Sequence, residues 1–414
     1  MFEQFRVARR RSAAVLALAG LLGGSLAVCA GAAQAAPAHT AADPTGLAAL
    51  AQQVVDAGAP GVVVRVEDGH GRVTEIVRQA AWARADAGLA VADQFRMGSN
   101  TKTMVATLVL QLVAEHRVNL TDTVEKWLPG QVPGGRAITV RMLLDHTSGL
   151  FDITHDPAVL AAFLGQDAHQ WTPRELLAAG VRHAPLFPPG RQFSYSNTNY
   201  IALGLILERA TGRSLGTLVQ QRIARPLGLT HTYLADSPAT SSRQAHGYEP
   251  DAAHLALYLP PGVPAGTSFA GPARGAWVDT TAINHSTLWA AGGIVSTAAD
   301  WARFDRALLS GRLLPAAQLE EMKATVPEDP KDPSGNGYGL GLRKVVFPCG
   351  TVWGHDGQAA GYSSVAYTDA AGRGTVTILV PTIFGLAAPA AGAAEQALEQ
   401  AAVCTVLGEP GPRA

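Results

Sequence analysis

The spacing of apolar and polar residues changes several times along the chain, and each change marks an element. Met1 to Ala36 stands apart: Arg6, Arg9, Arg10 and Arg11 precede an apolar run from Ala13 to Ala30, broken at Gly23-Gly24, and Ala33-Gln34-Ala35 follows with small-x-small spacing. That order is the pattern of a cleavable export signal over residues 1–35, with the cut after Ala35 because Pro37 disfavours one after Ala36. The alternative, a retained membrane anchor, wants a longer apolar run. Residues 36–46, rich in Ala, Pro and Thr, read as a flexible lead.

Helical spacing begins at Leu47 and runs to Ala57. Gly61 to Glu67 (GVVVRVE) is β-branched and reads as a strand, which Val73 to Val77 can join across the turn Asp68-Gly69-His70-Gly71. Gln94 to Met97 is short and extended, and a long helix follows from Thr101 to Glu115 with Met104, Val105, Leu108, Val109 and Leu112 along one side. The middle of the chain is helical with Pro and Gly punctuation: Val140 to Leu144, Pro173 to Ala179, Tyr200 to Thr211 and Leu215 to Ile223. Pro250 to Thr280 has little period and reads as long loops. Helical spacing returns at Thr297 to Ser310 and Pro315 to Thr325, then three strand-like runs (Thr351 to Gly354, Ser363 to Thr368, Gly374 to Pro381) and a closing helix, Glu395 to Cys404.

Strands at both ends and a helical insert between them predict an α+β architecture. Residues 47–136 and 241–405 form an α/β lobe with an antiparallel sheet flanked by helices, 137–240 a mostly helical lobe, and 406–414 a tail. A cleft between two lobes is a common place for a small-molecule site.

Composition sharpens this picture in three places. Of 414 residues 47% are apolar and 16% charged, which supports a large core and argues against disorder. Lys+Arg number 32 against 33 Asp+Glu, with no basic run, so nucleic acid is not an expected partner. Signal removal takes away Cys29 and leaves Cys349 and Cys404, a pair that an exported protein joins as a disulfide or keeps as two buried thiols. No H-E-x-x-H or C-x-x-C spacing suggests a metal, and no Gly-rich phosphate loop follows a strand.

Three short motifs carry candidate chemistry. In Ser99-Asn100-Thr101-Lys102 a serine opens the long helix, where unpaired N–H groups can stabilise an oxyanion, and the lysine one turn on reaches its oxygen. A lysine held away from water can help to activate that serine; the bland alternative is a helix cap with a solvated lysine. In Tyr195-Ser196-Asn197 a phenol can move a proton and an amide can hold a substrate carbonyl or a lysine. In His355-Asp356-Gly357, at the end of the strand from Thr351, a strand edge can pair with an extended substrate and the glycine permits close approach.

The order SxxK, YxN, HxG resembles the serine penicillin-recognising hydrolases, the group of class C β-lactamases and D-Ala-D-Ala carboxypeptidases. The nearest likeness is to secreted actinobacterial DD-carboxypeptidases. Phe95-Arg96-Met97-Gly98-Ser99, Leu143-Leu144-Asp145-His146-Thr147-Ser148-Gly149-Leu150, Tyr195-Ser196-Asn197-Thr198-Asn199 and Tyr338-Gly339-Leu340-Gly341-Leu342-Arg343 extend the resemblance from about Leu47 to Cys404. It implies a β-lactamase/transpeptidase-like fold and an acyl-enzyme mechanism with Ser99, Lys102 and Tyr195 catalytic. It further implies Asn197, Arg343, His355, Gly357 and Gln358 as substrate-binding, the last by its backbone N–H beside that of Ser99. It implies a Cys349–Cys404 disulfide, no cofactor and no metal. The expected partners are a peptidoglycan stem peptide or similar D-amino-acid peptide, and β-lactams as acylating inhibitors or substrates; a secreted monomer is expected, without a stable membrane anchor.

Asp356 and Gln358 depart from the hydroxyl residues that help such carboxypeptidases grip a terminal carboxylate. Asp356 either faces the cleft, repelling a free carboxylate in favour of amides and esters, or points away. The His146 motif reads as a structural turn, and Trp289 as core rather than cleft lining.

Overall fold

The structure, a computed structural model, describes residues 46–235, 241–258 and 266–408. The proposed signal, the lead up to residue 45 and residues 409–414 of the tail lie outside the described residues.

Seven antiparallel strands form the main sheet in the order β2-β1-β13-β12-β11-β10-β9. They are β1 (Gly61–Asp68), β2 (Val73–Gln79), β9 (Gly337–Tyr338), β10 (Arg343–Phe347), β11 (Gly350–Ala359), β12 (Tyr362–Thr368) and β13 (Gly374–Val380). The first strand therefore pairs with the last, Val64 opposite Ile378, and closes the two ends of the chain into one sheet. Period-two alternation splits the apolar side chains between two cores. Val62, Val64, Val66, Val376 and Ile378 face the helices Leu47–Asp56 and Pro389–Val406, whereas Val63 and Leu379 join the larger core on the opposite face.

The helix Thr101–Ala114 runs through that larger core. The sequence predicts one apolar side, but residues on all sides of it are buried, including Lys102, Thr103, Ala106, Thr107 and Leu110. A helix covered all round is central to its fold. The helices Val140–Leu144, Pro173–Val181 and Asn197–Thr211 supply the middle segment, the second started by a Thr172/Glu175 capping box with Pro173 in the first turn.

Several boundaries differ from the sequence reading. The strand predicted to end at Gly354 continues to Ala359, so His355, Asp356 and Gly357 lie within it. The helix predicted from Tyr200 begins at Asn197. The predicted loops of 250–280 contain strands after all: β5 (Tyr248–Pro250), β6 (Ala273–Arg274) and β7 (Trp277–Asp279) form a small sheet, while β3 (Phe95–Arg96), β8 (Ile294–Ser296) and β4 (Tyr233–Leu234) form another. Strands of two or three residues are too short to show a period.

Two ties hold distant parts together. Cys349 and Cys404 are disulfide-bonded, with Cα atoms 5.5 Å apart, joining the β10–β11 turn to the last helix. Glu249 on β5 is fully buried; its carboxylate accepts the N–H groups of Gly361, Ile383 and Phe384 and the Thr382 hydroxyl. Burial pushes its pKa up to about 7 against those four donors.

Candidate active site

Ser99 lies in a 3-10 turn, Gly98–Asn100, between β3 and the central helix. The turn is pressed against β11. A Cβ on Gly98 would lie 2.4 Å from the Gln358 nitrogen, and one on Gly357 would lie 1.9 Å from the Met97 oxygen and 2.8 Å from the Ser99 nitrogen. Only glycine permits that approach, and Gly98 also has φ +51°. Ser364 on β12 fixes the same turn, accepting from the Asn100 amide (2.8 Å) and donating to Met97 O (2.9 Å). β10 pairs with β11 only as far as Gly354, so from His355 onward that side of β11 is free of β10. The backbone at Ser99 and Gln358 is thus gathered at one point, where two N–H groups can meet one oxyanion.

Lys102 follows one turn later, with no exposure to solvent. Its Nζ lies 2.9 Å from Ser99 Oγ, 2.7 Å from Asn197 Oδ1 and 2.7 Å from Ala291 O. Three neutral oxygens thus surround the three donors of an ammonium. Nζ also stands 4.8 Å from the centre of the Tyr195 ring and 5.5 Å from that of Tyr200. The candidate serine, lysine and phenol therefore meet in one place, although 96 residues separate Ser99 from Tyr195.

Asn197 is the first residue of its helix, and Asp152 sets its amide: the Asp152 carboxylate accepts Asn197 N–H at 3.1 Å and Nδ2 at 3.0 Å. With Nδ2 turned to Asp152, Oδ1 is turned to Lys102. Asn197 holds the lysine, one of the two roles its motif offered, and its amide is bonded at both ends to protein in place of the expected substrate contact. Asp152 was not among the sequence candidates; its place three residues beyond Ser148-Gly149 carried no signal of its own.

Tyr195 is half-buried against a cluster of rings. The His146 ring lies tilted against it at 4.3 Å and Tyr338 approaches at 6.0 Å. His146 is fully buried; Nδ1 accepts Ser196 N–H (3.2 Å) and pairs with the Asn199 amide (3.0 Å). Burial, with Lys102 and Arg343 nearby, drives its pKa well below the usual imidazole range, so the ring behind Tyr195 is neutral.

His355 is buried as well, with Nε2 2.9 Å from the Tyr338 hydroxyl and its ring 6.3 Å from that of Tyr195. It backs the aromatic cluster and does not turn a free ring nitrogen to a substrate. Arg343 is 3% exposed, its guanidinium 5.7 Å from the Tyr195 ring centre. It is bonded to Glu328 at 2.7 Å, and its Nε lies 3.5 Å from Asp356 Oδ1. Asp356 thus turns toward Arg343. Glu328 was missed, because nothing local marks a loop acid as a partner of an arginine 15 residues on. Trp289 packs in the larger core, against Gly204.

One three-residue group with metal-like spacing exists among the described residues: Asp86, His246 and Asp279. His246 already bonds Asp279, and Asp86 bonds Tyr248 and Arg274, so the group is an internal network with a cation in place.

A profile of the Beta-lactamase family matches residues 47–402. Among solved structures, a D-stereospecific amidohydrolase from Streptomyces sp. superposes with TM-score 0.71 at 37% identity, covering 82% of this chain and 95% of that one. A D-amino acid amidase from Ochrobactrum anthropi SV3 gives TM-score 0.73 at 26% identity, covering 88% and 97%. Penicillin-binding protein 4* of Bacillus subtilis is 27% identical over 278 residues, 66% of this chain and 57% of its own. The chain spans 31% of the length of the first Staphylococcus aureus relative it matches.

Proposed function

The chain belongs to the beta-lactamase family of serine hydrolases, and from that premise we propose that it is an exported enzyme that cleaves amide bonds of D-amino-acid substrates through an acyl-enzyme at Ser99. The observation that carries the reading is the desolvated Lys102 ammonium, 2.9 Å from Ser99 Oγ, at the point where β11 meets the serine turn. Ser99 Oγ attacks the substrate carbonyl and gives up its proton to the Lys102–Tyr195 pair in its singly deprotonated form, ammonium with phenolate or amine with phenol. The carbonyl oxygen becomes an oxyanion between the Ser99 and Gln358 N–H groups. Tyr195 passes the proton to the leaving amine, and the acyl group stays on Ser99. Water then repeats the sequence in reverse, releasing the acid. A β-lactam enters the same path at its strained amide.

The names of the two solved neighbours support D-aminoacyl amides as substrates. A second reading, D-Ala-D-Ala carboxypeptidase action on peptidoglycan stem peptides, is supported by the penicillin-binding relative. Export rests on the pattern of residues 1–35.

The test uses purified protein and its Ser99→Ala variant with labelled penicillin, a D-Ala-D-Ala peptide and a D-aminoacyl amide. Covalent labelling with turnover of the D-substrates, both absent in the variant, is the expected result. Preferred release of D-alanine from the free peptide favours the second reading, and turnover that survives Ser99→Ala removes both.

A further inference from the structure

Two basic residues approach the Tyr195 ring, Lys102 at 4.8 Å and Arg343 at 5.7 Å. They differ in their partners. Lys102 bonds neutral oxygens, whereas Arg343 is enclosed by two carboxylates, Glu328 at 2.7 Å and Asp356 at 3.5 Å. Asp356 and Arg343 are nearly inaccessible to solvent, while Glu328 retains 20% side-chain exposure. The charges of the three side chains sum to minus one. Of the other titratable groups that face the cluster, His355 places Nδ1 3.7 Å from Asp356 Oδ1, Tyr195 and Tyr338 approach the guanidinium with their rings, His146 is buried and neutral, and Lys102 stands against the Tyr195 ring among its own oxygens. Even protonated, His355 brings the sum only to zero. An anion at this end of the cleft thus meets a guanidinium that already has its counter-ions, and the cluster offers it no uncompensated positive charge.

We propose that the Glu328–Arg343–Asp356 cluster makes the leaving-group end of the cleft a charge filter, admitting leaving groups that end in a neutral amide, an ester or a cation and rejecting those that end in a free carboxylate. The inference rests on the acyl-enzyme reading above and adds the chemical class of the leaving half. Glu328 and Asp356 act by electrostatic exclusion, the repulsive half of specificity, without touching the reacting carbonyl.

Three substrates sharing one D-aminoacyl-D-Ala core test it: the free acid, the primary amide, and an aminoethylamide ending in an ammonium. The expected order of kcat/KM is ammonium and amide above free acid, by about tenfold or more for one uncompensated charge in a partly buried site. Glu328→Gln and Asp356→Asn each narrow the gap, and the double variant closes it. Equal or better turnover of the free acid by the wild-type protein overturns the proposal, as does a gap that neither variant moves. If a variant fails to fold, the wild-type protein still decides: the amide should protect Ser99 from labelled penicillin at lower concentration than the acid, and equal protection refutes the filter. Absence of Ser99-dependent turnover for all three substrates counts against the acyl-enzyme reading instead, and the protection assay continues to read the charge preference.

Discussion

Lys102 and Arg343 both lie close to one phenol, both buried, and they solve the problem of a buried cation in opposite ways. Lys102 is held by a hydroxyl, a side-chain amide oxygen and a backbone carbonyl. Dipoles of that kind satisfy its donors without cancelling its charge, so the charge remains available to an oxygen that turns anionic beside it. Arg343 is held by two carboxylates, one hydrogen-bonded at 2.7 Å and one at ion-pair distance, and their charges offset its own. The difference teaches that identity and burial alone do not assign a role to a basic residue. The charge of its bonded partners decides whether it drives chemistry or anchors a loop.

The comparison can be broken or sharpened by substitution. The largest effect is expected from Lys102→Met, which keeps the buried volume and removes the charge: kcat/KM and the rate of penicillin labelling should fall by about a thousandfold or more, with the circular dichroism spectrum retained. Next is a control remote from both cations. Replacing Cys349 and Cys404 by serine opens a 55-residue loop and should lower the unfolding free energy by about 4 kcal/mol in a denaturant titration, with kcat per folded molecule kept. Third is a pH effect. Glu249 has its folded pKa raised to about 7, so its contribution to stability is fully present below about pH 4.5 and is lost as pH rises through 7. Glu249→Gln should flatten the fall in melting temperature between pH 5 and 8, a difference of about 3 kcal/mol for a shift of this size. The smallest is Asp152→Ala, which frees the Asn197 amide to rotate and turn a donor toward Lys102. A fall of about tenfold in kcat, with KM little changed and Asp152→Asn recovering part of it, separates orientation of the amide from simple destabilisation.

Much of the reacting end was legible because its information is local. Ser99 and Lys102 are one helical turn apart, and Gly357 announces a close backbone approach. The filtering end was not legible in the same way. β10 was missed because Arg343 and Lys344 begin it with two charges in place of an alternating pattern, and the strand through Gly354, His355, Asp356 and Gly357 has polar residues where a period would be sought. Glu328 and Asp152 come from loops, and their partners are chosen by tertiary contact. The two readings of Asp356 could not be separated from alternation alone, since its orientation depends on Arg343 across the β10–β11 pair.

The contact between Gly98 and Gly357 has a consequence for anyone who wishes to redirect this protein. Where two backbones touch with no side chains between them, there is nothing to trim or enlarge, so the nucleophile is a fixed component. The loop that carries Glu328 is built the other way, from a partly solvated acid outside the regular elements. Libraries aimed at new substrates should therefore vary residues around 328 and leave the glycine seam untouched, treating one as the interchangeable jaw and the other as the anvil.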